Sequence, residues 1–406
     1  MDILYVSNLY PPSIGGAQVH LHHLAKAMQC NGNRVSVMTM TTRTRTDWLR
    51  LSTVFSEKEC NFVYEGIDVW KIGFSALTRL HMAPWAVLYY ALMGSSVRRI
   101  AALMSPQIER GTPIPSIVHA SRNGREFLAR AALDFAHRHN IPFVLTPNHH
   151  PRWKGFLYRE YNRIYREADA LIALTAAEKK TLVEECGVRE DRVHVTGIGP
   201  LLSEEHSEET FRARFGLKER FVLFLGQQLQ YKGIRAILQA APLVWRDHPE
   251  IRFVFIGPRT SYSHSLFKTV TDPRVSNIGP VDLETKTSAL AACELLCLPS
   301  NQESFGGVFV EAWSFRKPVI GGRIGPIASV IDEGKDGLLS SQNPAELAKS
   351  ISSLLSDPLK CRAMGDAGWK KVRDRYSWEK ITDKTYGVYR SLRGGDEEPP
   401  ERGEVS

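Results

Sequence analysis

The chain has 406 residues, 43% hydrophobic and 24% charged, which excludes disorder along its whole length, and no short period marks a collagen-like or coiled-coil fibre. At about 100–200 residues per domain, two or three domains are expected. The net charge of +8 is uneven: residues 1–199 carry 24 basic and 17 acidic side chains (+7), residues 200–406 carry 28 and 27 (+1), so the first half suits anionic partners.

Residues 1–10 (MDILYVSNLY) carry an early Asp2, no basic leader and no small-residue cleavage site. They read as a buried first strand rather than a signal peptide, with the strand proper at 3–7. A Pro-Pro-Ser-Ile-Gly-Gly loop at 11–16 follows, then a helix over 18–28 with Val19, Leu21 and Leu24 near one face. Asn31-Gly32-Asn33 stops that helix, and 34–40 (RVSVMTM) is the next strand. The most apolar stretch, 82–94 (MAPWAVLYYALMG), is well short of the about 20 residues of a spanning helix, and predicts a buried or interfacial helix. Further strands are expected at 116–119, 143–146 and 170–174, with a helix over 126–137 between them.

The alternation then restarts. A short strand at 193–195 leads into Gly197-Ile198-Gly199-Pro200, which resembles a turn between domains. Strands follow at 221–226, 252–257, 275–279, 295–299 and 318–321, with a helix from about 232 to 245. Strand–helix alternation predicts an α/β chain of two doubly wound, Rossmann-like domains, with ligands at the carboxyl ends of the strands and a cleft between the domains. The expected division is 1–199 and 200–375, and the acidic, Pro/Gly-rich tail 394–406 is expected to be disordered. Six cysteines without zinc spacing read as buried thiols of a reducing cytosol, not as a disulfide framework. No nucleic-acid motif is present, and no Gly-x-Gly-x-x-Gly follows a strand to suggest a nicotinamide cofactor.

Three loops have the chemistry to handle phosphate. Gly15 and Gly16 follow the first strand and precede a helix, where backbone N–H groups can meet an anion. In 226–233 (GQQLQYKG), Lys232 stands past a strand where a helix should begin and could neutralise a diphosphate. In 299–311 (PSNQESFGGVFVE), Glu303 should lie at a strand's carboxyl end, and Gly306 and Gly307 should open a helix that carries Glu311 among apolar residues. A carboxylate there is costly unless hydrogen-bonded, and ribose hydroxyls are suitable partners.

Taken together, Glu303-x7-Glu311, Gly15-Gly16 and the Lys232-Gly233 loop resemble the retaining glycosyltransferases of the glycogen-synthase-like superfamily, family 4, which have the GT-B fold. The segments 10–28, 165–178, 187–199 and 317–339 extend the resemblance over nearly the whole chain. It implies a hexosyl transfer from a nucleotide diphosphate sugar, a co-substrate rather than a cofactor, to a sugar or lipid-linked acceptor in glycoconjugate biosynthesis. It implies Gly16 at the donor's distal phosphate and Lys232 on the diphosphate. Phe305, Gly306, Gly307 and Val308 would line the pocket, with Glu303 on the sugar hydroxyls, Glu311 on the ribose, and the base near 257–258 and 278–281. The segment 376–392 would be a final helix returning to the first domain.

Two positions depart from the family pattern. Gln227 stands where an arginine is usual, which leaves Lys232 the main matched cation, with Arg259 or Arg323 as helpers. The family's histidine after an N-domain strand falls on His149 with a one-residue slip; Asn148 takes the slot in a gap-free match, and His150 is a further rival. No Asp-x-Asp pair occurs, which fits metal independence. The basic first half and the aromatic stretch at 85–90 suggest peripheral contact with an anionic membrane, at the cytoplasmic face. The rival class is a non-catalytic sugar-nucleotide-binding scaffold with a degenerate site. Hydrolysis or epimerisation of a sugar nucleotide fits the Glu303–Glu311 spacing less well.

Overall fold

The computed structural model describes residues 1–12, 16–41, 59–89, 91–111, 113–121, 127–149 and 158–394. Gly15, His150 and all of the expected disordered tail except Gly394 lie outside these residues. The chain divides into two units, Met1–Thr196 with the segment from Trp378 onward, and Gly197–Ser377.

Short apolar runs bounded by Gly, Pro or polar residues become the strands of the first unit. They are β1 (Asp2–Leu9), β2 (Arg34–Thr41), β3 (Cys60–Tyr64), β4 (Ile67–Lys71), β5 (Ile117–Ser121), β6 (Phe143–Thr146), β7 (Ala170–Ala173) and β8 (Val193–Val195). Their spatial order is β3-β4-β2-β1-β5-β6-β7-β8. Every neighbouring pair is parallel except β3 and β4. Successive side chains of β1 feed opposite cores, Leu4 and Val6 into one, Ile3 and Tyr5 into the other. Hydrophobic burial on both faces is what a parallel sheet requires.

The helix Gly16–Cys30 covers one face, and the last helix, Trp378–Leu392, packs against it. A buried polar relay fixes that last helix. The Tyr389 hydroxyl meets the Tyr5 hydroxyl at 3.2 Å and His119 Nδ1 at 2.5 Å, and His119 Nε2 meets Thr146 Oγ1 at 2.8 Å. Burial, reinforced by His20, lowers the His119 pKa to about 3, so the imidazole is neutral in the folded protein.

The apolar stretch 82–94 is not one helix. The helix Ala76–Val87 ends within it, and another, Met93–Gly111, begins near its far side. Of its described aromatics, Tyr89 is buried, its hydroxyl 2.6 Å from that of Tyr161, and Trp85 is half-buried. Aliphatic residues are exposed instead: Leu77, Leu80, Val87, Leu88 and Leu92. No helix among the described residues is long and apolar enough to cross a membrane.

The second unit holds β9 (Phe221–Leu225), β10 (Arg252–Ile256), β11 (Val275–Gly279), β12 (Leu295–Leu298), β13 (Val319–Gly322) and β14 (Gly337–Ser340). All pair in parallel, in the order β11-β10-β9-β12-β13-β14. This is the doubly wound order in which the first and fourth strands lie side by side and the chain direction of winding reverses between them. The reading of buried thiols holds for Cys186, Cys293 and Cys297 but not for Cys30 and Cys60, which are exposed.

Candidate active site

The two loops that carry Lys232 and Glu303 leave the sheet at adjacent strands, β9 and β12, on either side of the reversal point. Such a point opens a crevice because successive connections run to opposite faces. The loops are laced together through the Tyr231 carbonyl, which accepts from the Asn301 N–H at 3.0 Å and from Gln342 Nε2 at 2.9 Å. Gln342 Nε2 also reaches the Pro299 carbonyl at 2.9 Å. Lys232 is not at a helix start. It ends the short turn Gln230–Lys232, and the helix proper begins at Ile234 after Gly233. From there its ammonium pairs directly with the Glu303 carboxylate, both groups largely withdrawn from solvent.

Gly306 adopts φ +84° and caps the helix Gly307–Ser314. A Cβ there would stand 2.4 Å from the Phe309 ring, so both the backbone angle and the space demand glycine. The first N–H groups of that helix, at Gly307 and Val308, have no partner within it and lend the loop positive character. The Phe305 ring is buried edge-on against Tyr376 at 5.3 Å. Gln227 is exposed, while its neighbour Gln228 is buried and donates to Asn277 Oδ1 at 2.7 Å.

One turn into the helix, Glu311 is only 6% exposed. Its Oε1 lies 2.9 Å from Lys286 Nζ, and its Oε2 is buried with no hydrogen-bond partner among the described residues. No spacing in the sequence points to Lys286, which reaches Glu311 from another helix, Leu283–Ala292. Neither arginine expected to help Lys232 is uncommitted. Arg259 donates to the Asn277 and Ile278 carbonyls, and Arg323 is held by Glu333, Glu346 and the Leu339 carbonyl.

The other expected site residues belong to the first unit. Gly16 is exposed at the start of its helix, and a Cβ there would meet nothing within 4 Å. Among the described residues, none takes the space of a Cβ there. His149 is 5% exposed, its Nδ1 3.4 Å from the Tyr165 hydroxyl, its N–H donating to Glu178 Oε1 at 2.6 Å. Asn148, at φ +46°, is less buried and donates to Ser121 Oγ at 3.3 Å, at the carboxyl end of β5.

Two family models match the chain, Glycosyltransferase Family 4 over residues 14–199 and Glycosyl transferases group 1 over residues 206–371. The chain is 26% identical over 425 residues to a glycogen synthase of Mycobacterium tuberculosis, spanning 99% of this chain and 97% of that protein. It is 30% identical over 256 residues to a D-inositol 3-phosphate glycosyltransferase of Corynebacterium urealyticum, spanning 59% of this chain and 60% of the relative. Among solved structures, Anabaena HepE in complex with UDP and glucose superposes with a TM-score of 0.71 at 19% identity, over 96% of this chain and 100% of that one. With two parallel α/β units, both family models and relatives of this kind, the chain belongs to the group 1, family 4 glycosyltransferases and has the GT-B fold.

Proposed function

We propose that the protein transfers a hexose from a nucleoside diphosphate sugar to an acceptor hydroxyl, with retention and without a metal ion. The observation that carries this is the pairing of Lys232 with Glu303 at the reversal point of the second sheet, beside a helix N-terminus and a buried carboxylate with one unpartnered oxygen. A diphosphate can take over the Lys232 ammonium and the N–H groups of Gly307 and Val308, which frees Glu303 for sugar hydroxyls. Glu311 Oε2 then accepts from the ribose. HepE, solved with UDP and glucose, supports a donor of this class.

As the bond from the anomeric carbon to the phosphate oxygen breaks, negative charge grows on the diphosphate. Lys232 and the fixed N–H dipoles face that charge and lower the barrier. On the retaining path the acceptor oxygen bonds to the anomeric carbon on the face the phosphate leaves, and its proton passes to the departing phosphate oxygen. Lysine and helix dipole supply the positive charge a divalent cation would otherwise bring. The test is thermal unfolding with UDP, ADP and GDP, then transfer from the matching sugar nucleotides in excess chelator. One nucleotide at ~100 times its dissociation constant should add about 2.7 kcal/mol. Lys232→Ala and Glu311→Ala should each reduce the shift, and transfer should continue in chelator. No shift with any nucleotide favours a degenerate scaffold, and loss of transfer in chelator refutes metal independence.

The acceptor is proposed to be a sugar or lipid-linked glycan, met at the cytoplasmic face of an anionic membrane. The exposed aliphatic residues between Leu77 and Leu92 and the +7 charge of the first half support this. Binding to anionic vesicles is expected at low salt, weakening as salt screens the charge. Absence of binding at low salt would remove the membrane from the proposal.

A further inference from the structure

Glu311 sits one turn down the helix that begins at Gly307, about 6 Å along its axis from the first N–H groups. The ribose of a nucleoside diphosphate stands at a comparable remove from its phosphates. A carboxylate at that place is useful only if it holds one orientation. Burial makes a partner necessary, because a carboxylate taken out of water without one carries a large desolvation cost.

Lys286 supplies both the partner and the hold. Its Nζ is held from two sides, by the Leu201 carbonyl at 2.6 Å and by Glu311 Oε1 at 2.9 Å. Two anchors leave the long side chain little freedom. The pairing is also one-sided: Lys286 takes Oε1 and leaves Oε2 buried without a partner among the described residues. A pair built only for stability would satisfy both oxygens, since an unpartnered buried acceptor costs free energy. We infer that Lys286 is a positioning residue that holds the Glu311 carboxylate turned so that Oε2 accepts from a ribose hydroxyl. It acts through Glu311, without touching the nucleotide itself, and it sets the preference for a ribonucleotide over one lacking those hydroxyls. The inference rests on the reading of Glu311 as the ribose holder.

The experiment compares affinities for UDP, ADP and GDP and for the 2′,3′-dideoxy counterpart of whichever binds. The wild type should prefer the ribonucleotide about 10- to 100-fold, the range of a hydrogen bond to a charged group. Glu311→Ala should collapse that preference, and Lys286→Met should collapse it as well. In both variants the affinity for the dideoxy compound should stay at the wild-type level. Lys286→Arg should restore the preference, since a guanidinium can reach the same carboxylate. Where Lys286→Met does not fold, Lys286→Gln keeps a polar end on a shorter stem, loses the charge and carries the same comparison.

The outcomes separate the two readings. If Glu311→Ala loses the preference and Lys286→Met keeps it, the ribose reading stands and the Lys286 inference is overturned. If Lys286→Met weakens both nucleotides equally, the inference is again overturned, because Lys286 then supports the pocket as a whole. If Glu311→Ala keeps the preference, the ribose reading itself fails and the inference falls with it.

Discussion

Lys232→Ala is expected to lower kcat/KM for sugar transfer by about 10²–10³-fold, the usual consequence of removing one preorganised charge-stabilising donor. Two losses combine. The cation that faces the growing charge on the leaving diphosphate disappears, and Gln227 offers no charge in compensation. Glu303 also loses its partner, so a negative charge is left where an anionic ligand must enter. The second loss can be separated from the first. Lys232→Ala combined with Glu303→Gln should bind the free nucleoside diphosphate better than Lys232→Ala alone, because the repulsion is gone. Transfer should not recover, because Glu303 is assigned to the sugar hydroxyls. Residues in direct contact give non-additive effects of this kind. Steady-state kinetics and calorimetric titration of the wild type, Lys232→Ala, Glu303→Gln and the double variant decide the matter. Wild-type kcat/KM in Lys232→Ala would remove the lysine from the site.

Gly257→Ala is expected to destabilise the second unit by roughly 2–5 kcal/mol, combining an unfavourable backbone angle with overpacking. Gly257 has φ +134° at the end of β10, and a Cβ there would lie 2.0 Å from the Gly226 carbonyl oxygen. That oxygen is backbone and cannot swing aside. For a unit of this size the melting transition should drop by about 5–15 °C. Gly16→Ala makes the contrast. No described atom lies within 4 Å of a Cβ there, so its melting temperature should match the wild type. Calorimetry with hydrogen exchange assigns each transition to its unit. An unchanged transition in Gly257→Ala would show that the strand ends can part, contrary to the packing described here.

Much of this architecture was legible because buried parallel strands are short apolar runs between Gly, Pro and polar residues. The strands at 143–146, 193–195 and 275–279 begin and end where hydropathy places them. The hairpin of β3 and β4 was not legible. Its strands are half exposed, and its turn is Glu65-Gly66, both at positive φ, where Asn-Gly is the familiar signal. At the candidate site, the meeting of Lys232 and Glu303 was legible in that each stands in a loop after an apolar strand. That of Lys286 with Glu311 was not, since it is a product of helix packing rather than spacing. The histidine slot is a third kind of case. Adjacent loop residues look alike in sequence, and only the positive φ of Asn148 separates a residue that meets Ser121 from one that turns toward Tyr165.

The relay from Tyr5 and His119 to Tyr389 has a consequence for the order of biosynthesis. The first unit is discontinuous: its last helix follows Gly197–Ser377, the whole of the second unit, in the chain. On a ribosome adding about 5–20 residues per second, the first sheet waits on the order of ten to forty seconds for the helix that completes it. Through that interval Tyr5 and His119 lack the hydroxyl that joins them, and the Ile3–Tyr5 face of the sheet lacks part of its cover. The second unit is contiguous and can mature first, although it is made later. A nonsense codon near the 3′ end of the message would therefore injure the part of the protein translated earliest.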